Sequence, residues 1–334
     1  MRTWVIVLFV ALIPALFLAA LVPAPAQVNR PVEASGRPVR IQQLGDEGMT
    51  RLMNGHPDSA IAVSREIQEE DSTSPLGYLL AADATWWKIY YTTANLIDPD
   101  VFDVVSSTST PYDSQFQNLT QTTIQKAKAR TAQHQDVARS TMYEGLAYAL
   151  LGRLDGLRAQ DLAAARDGKK MRSLLLAALR LDPHLTDSYA GVGLYNYYVA
   201  TLPTIIKWLR FLIGLPGGSR RVGLQQLADA AEHGEFVRAE AKFYLAKNYT
   251  RNNERQFGKA SQLFEELSKE YPQNPFWKLM VASVTMRLGQ TQQGDALYRQ
   301  IQAETAGGGN LVAKSVHSAV VKALERLHPQ EKFE

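Results

Sequence analysis

"AKFYLAKNYTRNNERQFGKASQLFEELSKEYPQNP" runs from Ala241 to Pro275 and decides the fold. Two helical periods lie in it, separated by a polar stretch at Asn252 to Gln256 and ended by Pro272. The first places Leu245 and Ala246 side by side, with Tyr249 one turn on. The second carries Ala260, Phe264 and Leu267 on one face. Alanines let two helix axes approach closely, and the large rings beside them fill the groove that such an approach leaves. The stretch is therefore expected to be an antiparallel helix pair.

The pair resembles a tetratricopeptide repeat, with about two extra residues in its turn against the ~34-residue period. Other units follow the same plan. "PFWKLMVASVTMRLGQTQQGDALYRQI" has Ala282 and Gly294 at the close positions and Tyr298 as filler. Met142 to Gly156 repeats the relation with Gly145 and Tyr148. Pro183 precedes a helix with Gly191 and Gly193, and Ala60, Ile67, Pro75, Tyr78 and Ala81 mark an early pair. About five pairs exceed the three that a solenoid needs. No clear alternating strand is found. The expected fold is all-α: a right-handed, tetratricopeptide-like α-solenoid over residues 46–305, with inserts at about 98–117 and 152–182. Gly307 to Asn310 break the chain. A helix over 311–328, with Val312, Val316, Val320, Ala323, Leu324 and Leu327 on one side, is expected to cap the core.

The N-terminus suggests a compartment. "MRTWVIVLFVALIPALFLAALVPAPAQ" has Arg2, an apolar run from Trp4 to Val22 and Ala24-Pro25-Ala26. This is the pattern of a signal peptide cut after Ala26. The alternative is an uncleaved anchor, since the run approaches bilayer length. Residues 27–45 read as a tether. The expected compartment is outside the cytoplasm, namely the periplasm. With no cysteine in 334 residues, disulfides, thiol nucleophiles and cysteine-bound metals are excluded. A net charge of +3 gives no argument for nucleic acid. Its distribution is uneven. Asp46 to Asp100 holds ten acidic against three basic residues, a net of −7, and Leu119 to Arg221 fifteen basic against seven acidic, a net of +8. Such asymmetry can steer an encounter or orient self-assembly, although solvated helix faces explain it equally.

"FLIGLPGGSRRVGLQQLADAAEHG", Phe211 to Gly234, tests for an enzyme. A phosphate loop requires a preceding strand and a Lys-Ser or Lys-Thr pair. Here the preceding "TIIKWLRFLI" is helical in pattern and the lysine is missing. The stretch reads as a turn: Gly214 ends one helix, Pro216 to Gly218 reverse the chain, and Ser219 caps the next helix. An anion at that helix start beside Ser219, Arg220 and Arg221 is the chemical alternative. Gly191 to Tyr249 resembles the middle of the eukaryotic tetratricopeptide-repeat 39 family, which includes an outer-mitochondrial-membrane and inclusion-clearance protein. The matching residues are Gly191, Gly193, Tyr195, Leu202, Pro203, Gly214, Gly218, Arg220, Gly223, Leu224 and Leu227. Leu215 and Ser219 replace that family's phenylalanine and aspartate. The resemblance implies an all-helical repeat protein acting through partners. It carries over no catalytic residue, and the exported N-terminus departs from it.

Catalytic and metal motifs are not found. The six histidines are scattered, with no H-E-x-x-H. Asp98, Asp100 and Asp103 lack the glycine and closing glutamate of a calcium loop. No G-x-S-x-G elbow stands out. Asn118 and Asn248 match the glycosylation pattern. No cofactor is expected. Two aromatic clusters remain, "WWKIYY" at Trp86 to Tyr91 and "YNYY" at Tyr195 to Tyr198. Neighbours on a helix diverge by about 100°, so not all of these rings can face one core. The expectation is a non-catalytic scaffold that binds a protein or peptide in its concave groove through Trp87, Tyr90, Tyr91, Tyr195, Asn196 and Tyr198. A second reading docks the apolar 202–216 segment on a membrane. A third places an anion site or enzyme at the 217–221 turn.

Overall fold

The computed structural model describes residues 33–97, 106, 108–202 and 214–331. Those residues form thirteen helices and no strand. They are α1 (Glu33–Met53), α2 (Pro57–Glu70), α3 (Pro75–Thr93), α4 (Asp113–Ala132), α5 (Val137–Leu157), α6 (Asp161–Leu181), α7 (Ser188–Thr201), α8 (Arg220–His233), α9 (Arg238–Thr250), α10 (Phe257–Glu270), α11 (Pro275–Arg287), α12 (Thr291–Thr305) and α13 (Leu311–Leu327). Consecutive helices pack on one another along the whole series, so the fold is an α-solenoid of helix pairs. The signal-peptide run and the 203–213 part of the apolar segment lie outside the described residues, as do Asp98, Asp100 and Asp103.

The pair that opened the reading is α9 and α10. Ala246, Ala260, Phe264 and Leu267 are all fully buried where the two meet. Helix starts follow local chemistry. Pro75 and Pro275 occupy first-turn positions where the missing N–H has no intrahelical partner to lose. The Ser74 hydroxyl accepts from the Leu76 N–H, and the Asn274 side chain from the Phe276 N–H. Asn310 caps α13 by accepting from the Ala313 N–H at 2.8 Å.

Two stretches differ from expectation. Residues 33–45, read as tether, are the first half of α1, with Pro38 inside the helix. Leu44, Met49, Leu52 and Met53 recur at helical spacing and are buried, which holds the segment on the core. Gly45 and Gly48 allow α1 to approach Leu76 and Leu80 of α3. The stretch 152–182 is the end of α5 together with α6, an ordinary antiparallel pair with its turn at Arg158 to Gln160.

The even-numbered helices α2 to α12 carry buried residues on one stripe, whereas α3, α5, α7, α9 and α11 are buried on several faces. The solenoid also closes on itself. Helix α3 touches α13. The side chain of Asn274, just before α11, donates to the Met53 carbonyl at 2.8 Å, and the Trp277 indole donates to the same oxygen at 2.9 Å. The Ser283 hydroxyl donates to the Ile97 carbonyl at 2.9 Å. The two ends of the series therefore meet across the inner side.

Candidate functional site

The closure decides where the expected groove residues lie. Trp87 is 1% exposed, and Tyr90 and Tyr91 are buried with it. The Trp87 ring lies 5.4 Å from Phe243, 6.1 Å from Phe276 and 6.0 Å from Trp277, joining α3 to α9 and α11. Divergence of neighbouring rings predicts exposure only when a helix has an uncovered side. Helix α3 is packed against α1, α2, α4, α5 and α13, and its rings meet α9 and α11, so Trp86, Trp87, Tyr90 and Tyr91 diverge into several contacts and all four are buried. Tyr195 and Asn196 are buried as well. The Tyr195 hydroxyl donates to the Pro216 carbonyl at 2.9 Å, and the Asn196 amide donates to Gln226 at 2.7 Å. Tyr198 is half-buried, with the Arg251 guanidinium 5.4 Å from its ring centre. These six residues therefore fall into two separate sets, one on α3 and one on α7, with Tyr198 alone half-buried.

In the glycine turn the cap read from the sequence is present. Gly214 has φ +60°, in the left-handed region where a side chain is strained. The Ser219 hydroxyl accepts from the Val222 N–H, capping α8. A Cβ on Gly218 would collide with the Asn196 carbonyl, so the turn lies directly on α7. Arg220 pairs with the buried Glu254 at 3.1 Å, and Arg221 is exposed beside it.

A charged network sits inside the closure. Asp83 of α3, Arg153 of α5 and Glu240 of α9 meet there, and Asp83 and Glu240 are each 2% exposed. Arg153 lies 3.1 Å from a Glu240 oxygen and 3.7 Å from an Asp83 oxygen. The Trp87 indole N–H donates to Glu240 at 2.9 Å, and the Arg153 guanidinium stacks 4.7 Å over Tyr244. Burial, and then the neighbouring Glu240 carboxylate, push the Asp83 carboxyl well above its ordinary range. Burial opposes the charge on Arg153, but Glu240 and Asp83 outweigh it and hold that charge. Two carboxyl groups thus share one cation, and one Asp83 oxygen finds no hydrogen-bond partner. Close to this set, the Lys247 ammonium donates to the Tyr90 hydroxyl at 3.0 Å. Sequence reading missed the network. The available signal was Asp83, the single charge in the otherwise apolar "LLAADATWW"; "VRAEAKFYL" carries Arg238, Glu240 and Lys242 and gave no such mark.

Open clefts remain among the described residues. A cleft of about 540 Å³ lies between the end of α3, with the following Ala94 to Ile97, and the polar side of α13. Lys314, Ser318, Lys322 and Arg326 line it from α13, four residues apart and exposed. No carboxylate lines it, and the three cations pair with none among the described residues. Sequence reading followed only the apolar side of this helix. The four-residue recurrence of Lys, Ser, Lys and Arg on the other side was the available signal.

Three histidines meet polar side chains: His56 meets Gln273 across 217 positions, His317 meets Thr305 and His328 meets Asp295. Among the described residues, no group of three or more His, Asp or Glu stands close enough to hold a metal ion. No helix among them is long and apolar enough to cross a membrane. Of the two glycosylation patterns, Asn248 is fully buried. No protein-family model matches this chain, and neither does any curated protein or solved structure.

Proposed function

We propose that the protein is a non-catalytic, tetratricopeptide-like scaffold, exported from the cytoplasm, that binds a protein partner on its outer surface. The observation that supports this is the open cleft between α3 and α13, walled by two helices that the closing contacts hold in place. A rigid solenoid acts by presenting such a surface, and bond chemistry has no part in it. The aromatic residues of the inner side serve this function indirectly, by fixing the positions of α3 and α13. Export rests on the Arg2 to Ala26 pattern, and periplasmic residence is part of the proposal.

The test is site-specific photo-crosslinking in the source organism. A photoreactive residue at Ser318, in the cleft, is compared with one at Glu265, exposed on α10. The expected outcome is a discrete crosslinked protein from Ser318 alone. Identical patterns at both positions, or none at Ser318, would remove the cleft as the working surface. Mass measurement of the mature chain checks cleavage after Ala26.

A further inference from the structure

We propose that the α3–α13 cleft binds an extended acidic segment of a protein partner, with carboxylates in the order acid-x-x-x-acid-x-acid or its reverse. The inference rests on the scaffold reading and names the chemistry of its partner.

Three observations lead to it. First, Lys314, Lys322 and Arg326 are exposed, line one cleft and pair with no carboxylate among the described residues. On the same part of the chain other cations are paired, Lys278 with Glu304 and Arg299 with Asp295 and Glu331. The α13 acid Glu325 does not line the cleft. Second, the end of α3 cannot balance them. A helix C-terminus amounts to about half an elementary negative charge. Among the described residues, three cations beside it leave a surplus of roughly two and a half positive charges. Third, the spacing is that of an extended chain. Residues rise ~1.5 Å each along a helix, so Lys322 and Arg326 are ~6 Å apart along α13 and Lys314 and Lys322 ~12 Å. An extended segment advances ~3.3 Å per residue, so two residues span ~6.6 Å and four span ~13 Å. Carboxylates two and four residues apart therefore register with the three cations in turn. Ser315 and Ser318 add hydroxyls between them, able to donate to a carboxylate or a peptide carbonyl. The concave wall formed by Tyr91 to Ile97 favours a strand-like chain over a flat anionic membrane, which three cations recessed in a cleft would meet poorly.

The experiment uses the full chain and a fluorescein-labelled peptide with three glutamates in that order in a glycine–serine background. Fluorescence anisotropy is read at low and at physiological salt. Binding is expected, weakening as salt rises, because exposed charge pairs are screened. The same peptide with its three glutamates contiguous is expected to bind about threefold more weakly, and one with glutamines not at all. Lys322→Gln/Arg326→Gln is expected to weaken binding about tenfold, and Lys314→Gln about threefold. Lys269→Gln, exposed on α10, is expected to have no effect. Circular dichroism checks that each variant is folded. Absence of peptide binding to the parent overturns the inference, as does equal binding by the double variant. Phosphatidylserine vesicles form a separate arm. Vesicle binding that depends on Lys322 and Arg326, with no peptide binding, assigns the cleft to a membrane and overturns the inference. A discrete Ser318 crosslink without peptide binding refutes the acidic chemistry and leaves the scaffold reading standing. Peptide binding with a silent Ser318 does the reverse.

Discussion

Two seams of this molecule are built by opposite means. Between α7 and α8, glycine faces glycine: a Cβ on Gly223 would stand 2.6 Å from the Gly193 carbonyl oxygen and from the Tyr197 nitrogen. Between α3 and the α9–α11 side, the contact is made by the largest side chains available, Trp87, Tyr90, Phe243, Phe276 and Trp277. The first seam joins neighbours in the helical series, whose axes lie close enough that backbone meets backbone. The second joins residues as far apart as Trp87 and Trp277, 190 positions along the chain, across a space that would otherwise be the hollow of the solenoid. Side chains are absent where axes touch and large where a gap must be filled, since interiors pack to near-crystalline density. The difference teaches that the rings of α3 act as closure.

The largest effect is expected from breaking the closure. Trp87→Ala removes the central ring and leaves Glu240 without its indole donor. Truncation of a buried large aromatic costs about 3–5 kcal/mol, to which the lost hydrogen bond contributes. Urea unfolding followed by circular dichroism measures it. Because Trp87 meets Glu240 across 153 residues, its contacts are expected to form late, so stopped-flow traces should show faster unfolding with little change in folding rate. A loss below about 1 kcal/mol would mean that the closure is not what holds the inner side together.

The glycine seam gives a change of sign. An alanine in an exposed helix interior is better than glycine by about 1 kcal/mol. Gly258 in α10 has open space around its Cβ position, so Gly258→Ala is expected to stabilise by up to that amount. Gly223→Ala must push α7 and α8 apart and is expected to destabilise by about 1–3 kcal/mol. Equal effects of the two substitutions in thermal unfolding would refute the close-contact account.

The contrast also marks what could be read from sequence. Pairing of adjacent helices was legible because small and large residues recur at fixed offsets within about 35 residues, as Ala246, Ala260 and Phe264 do. The Ser219 cap was legible for the same local reason. Closure was not. Trp87 and Trp277 carry no mark in the chain that they meet, and periodicity describes one helix or one pair, never which distant helix covers a face. The groove expectation failed at that step: it placed α3 on an open concave side that distant helices in fact cover. The cationic edge of α13 was legible in principle, but an apolar stripe on the same helix drew the reading toward capping alone.

The interior charges test the closure more gently. Asp83 has its carboxyl pushed up by burial and by Glu240, so the folded state holds a proton there that the unfolded chain releases above about pH 4. The sign follows: stability is greatest below that pH and falls as pH rises toward the raised value in the folded state. Asp83→Asn keeps the shape, keeps a donor beside Glu240 and needs no proton. It is expected to raise the neutral-pH thermal midpoint by about 2–4 °C and to flatten the alkaline side of the profile. Asp155, pushed to about 6 by burial and then by Asp167, contributes a separate decline between about pH 4 and 6 that should persist in Asp83→Asn and diminish in Asp155→Asn. A lower midpoint for Asp83→Asn at neutral pH would show that the network is satisfied with both carboxylates charged.

The smallest effect separates the two accounts of the glycine turn. If Ser219 acts as a cap, Ser219→Ala costs about 1 kcal/mol and Ser219→Gly only a few tenths, because glycine tolerates the cap position. Arg221→Gln then changes stability by less than about 0.5 kcal/mol, since its side chain is exposed and pairs with no carboxylate among the described residues. Sulfate distinguishes an anion site. Its specific binding to the turn would raise the thermal midpoint of the parent more than that of Arg221→Gln, by linkage to the folded state. The capped turn is expected to give equal sulfate responses in both proteins, because the Val222 N–H is already taken by the Ser219 hydroxyl and Arg220 by Glu254. A sulfate response lost with Arg221 would turn the same turn from a mechanical element, serving the α7–α8 seam, into a second binding surface beside the α13 cleft.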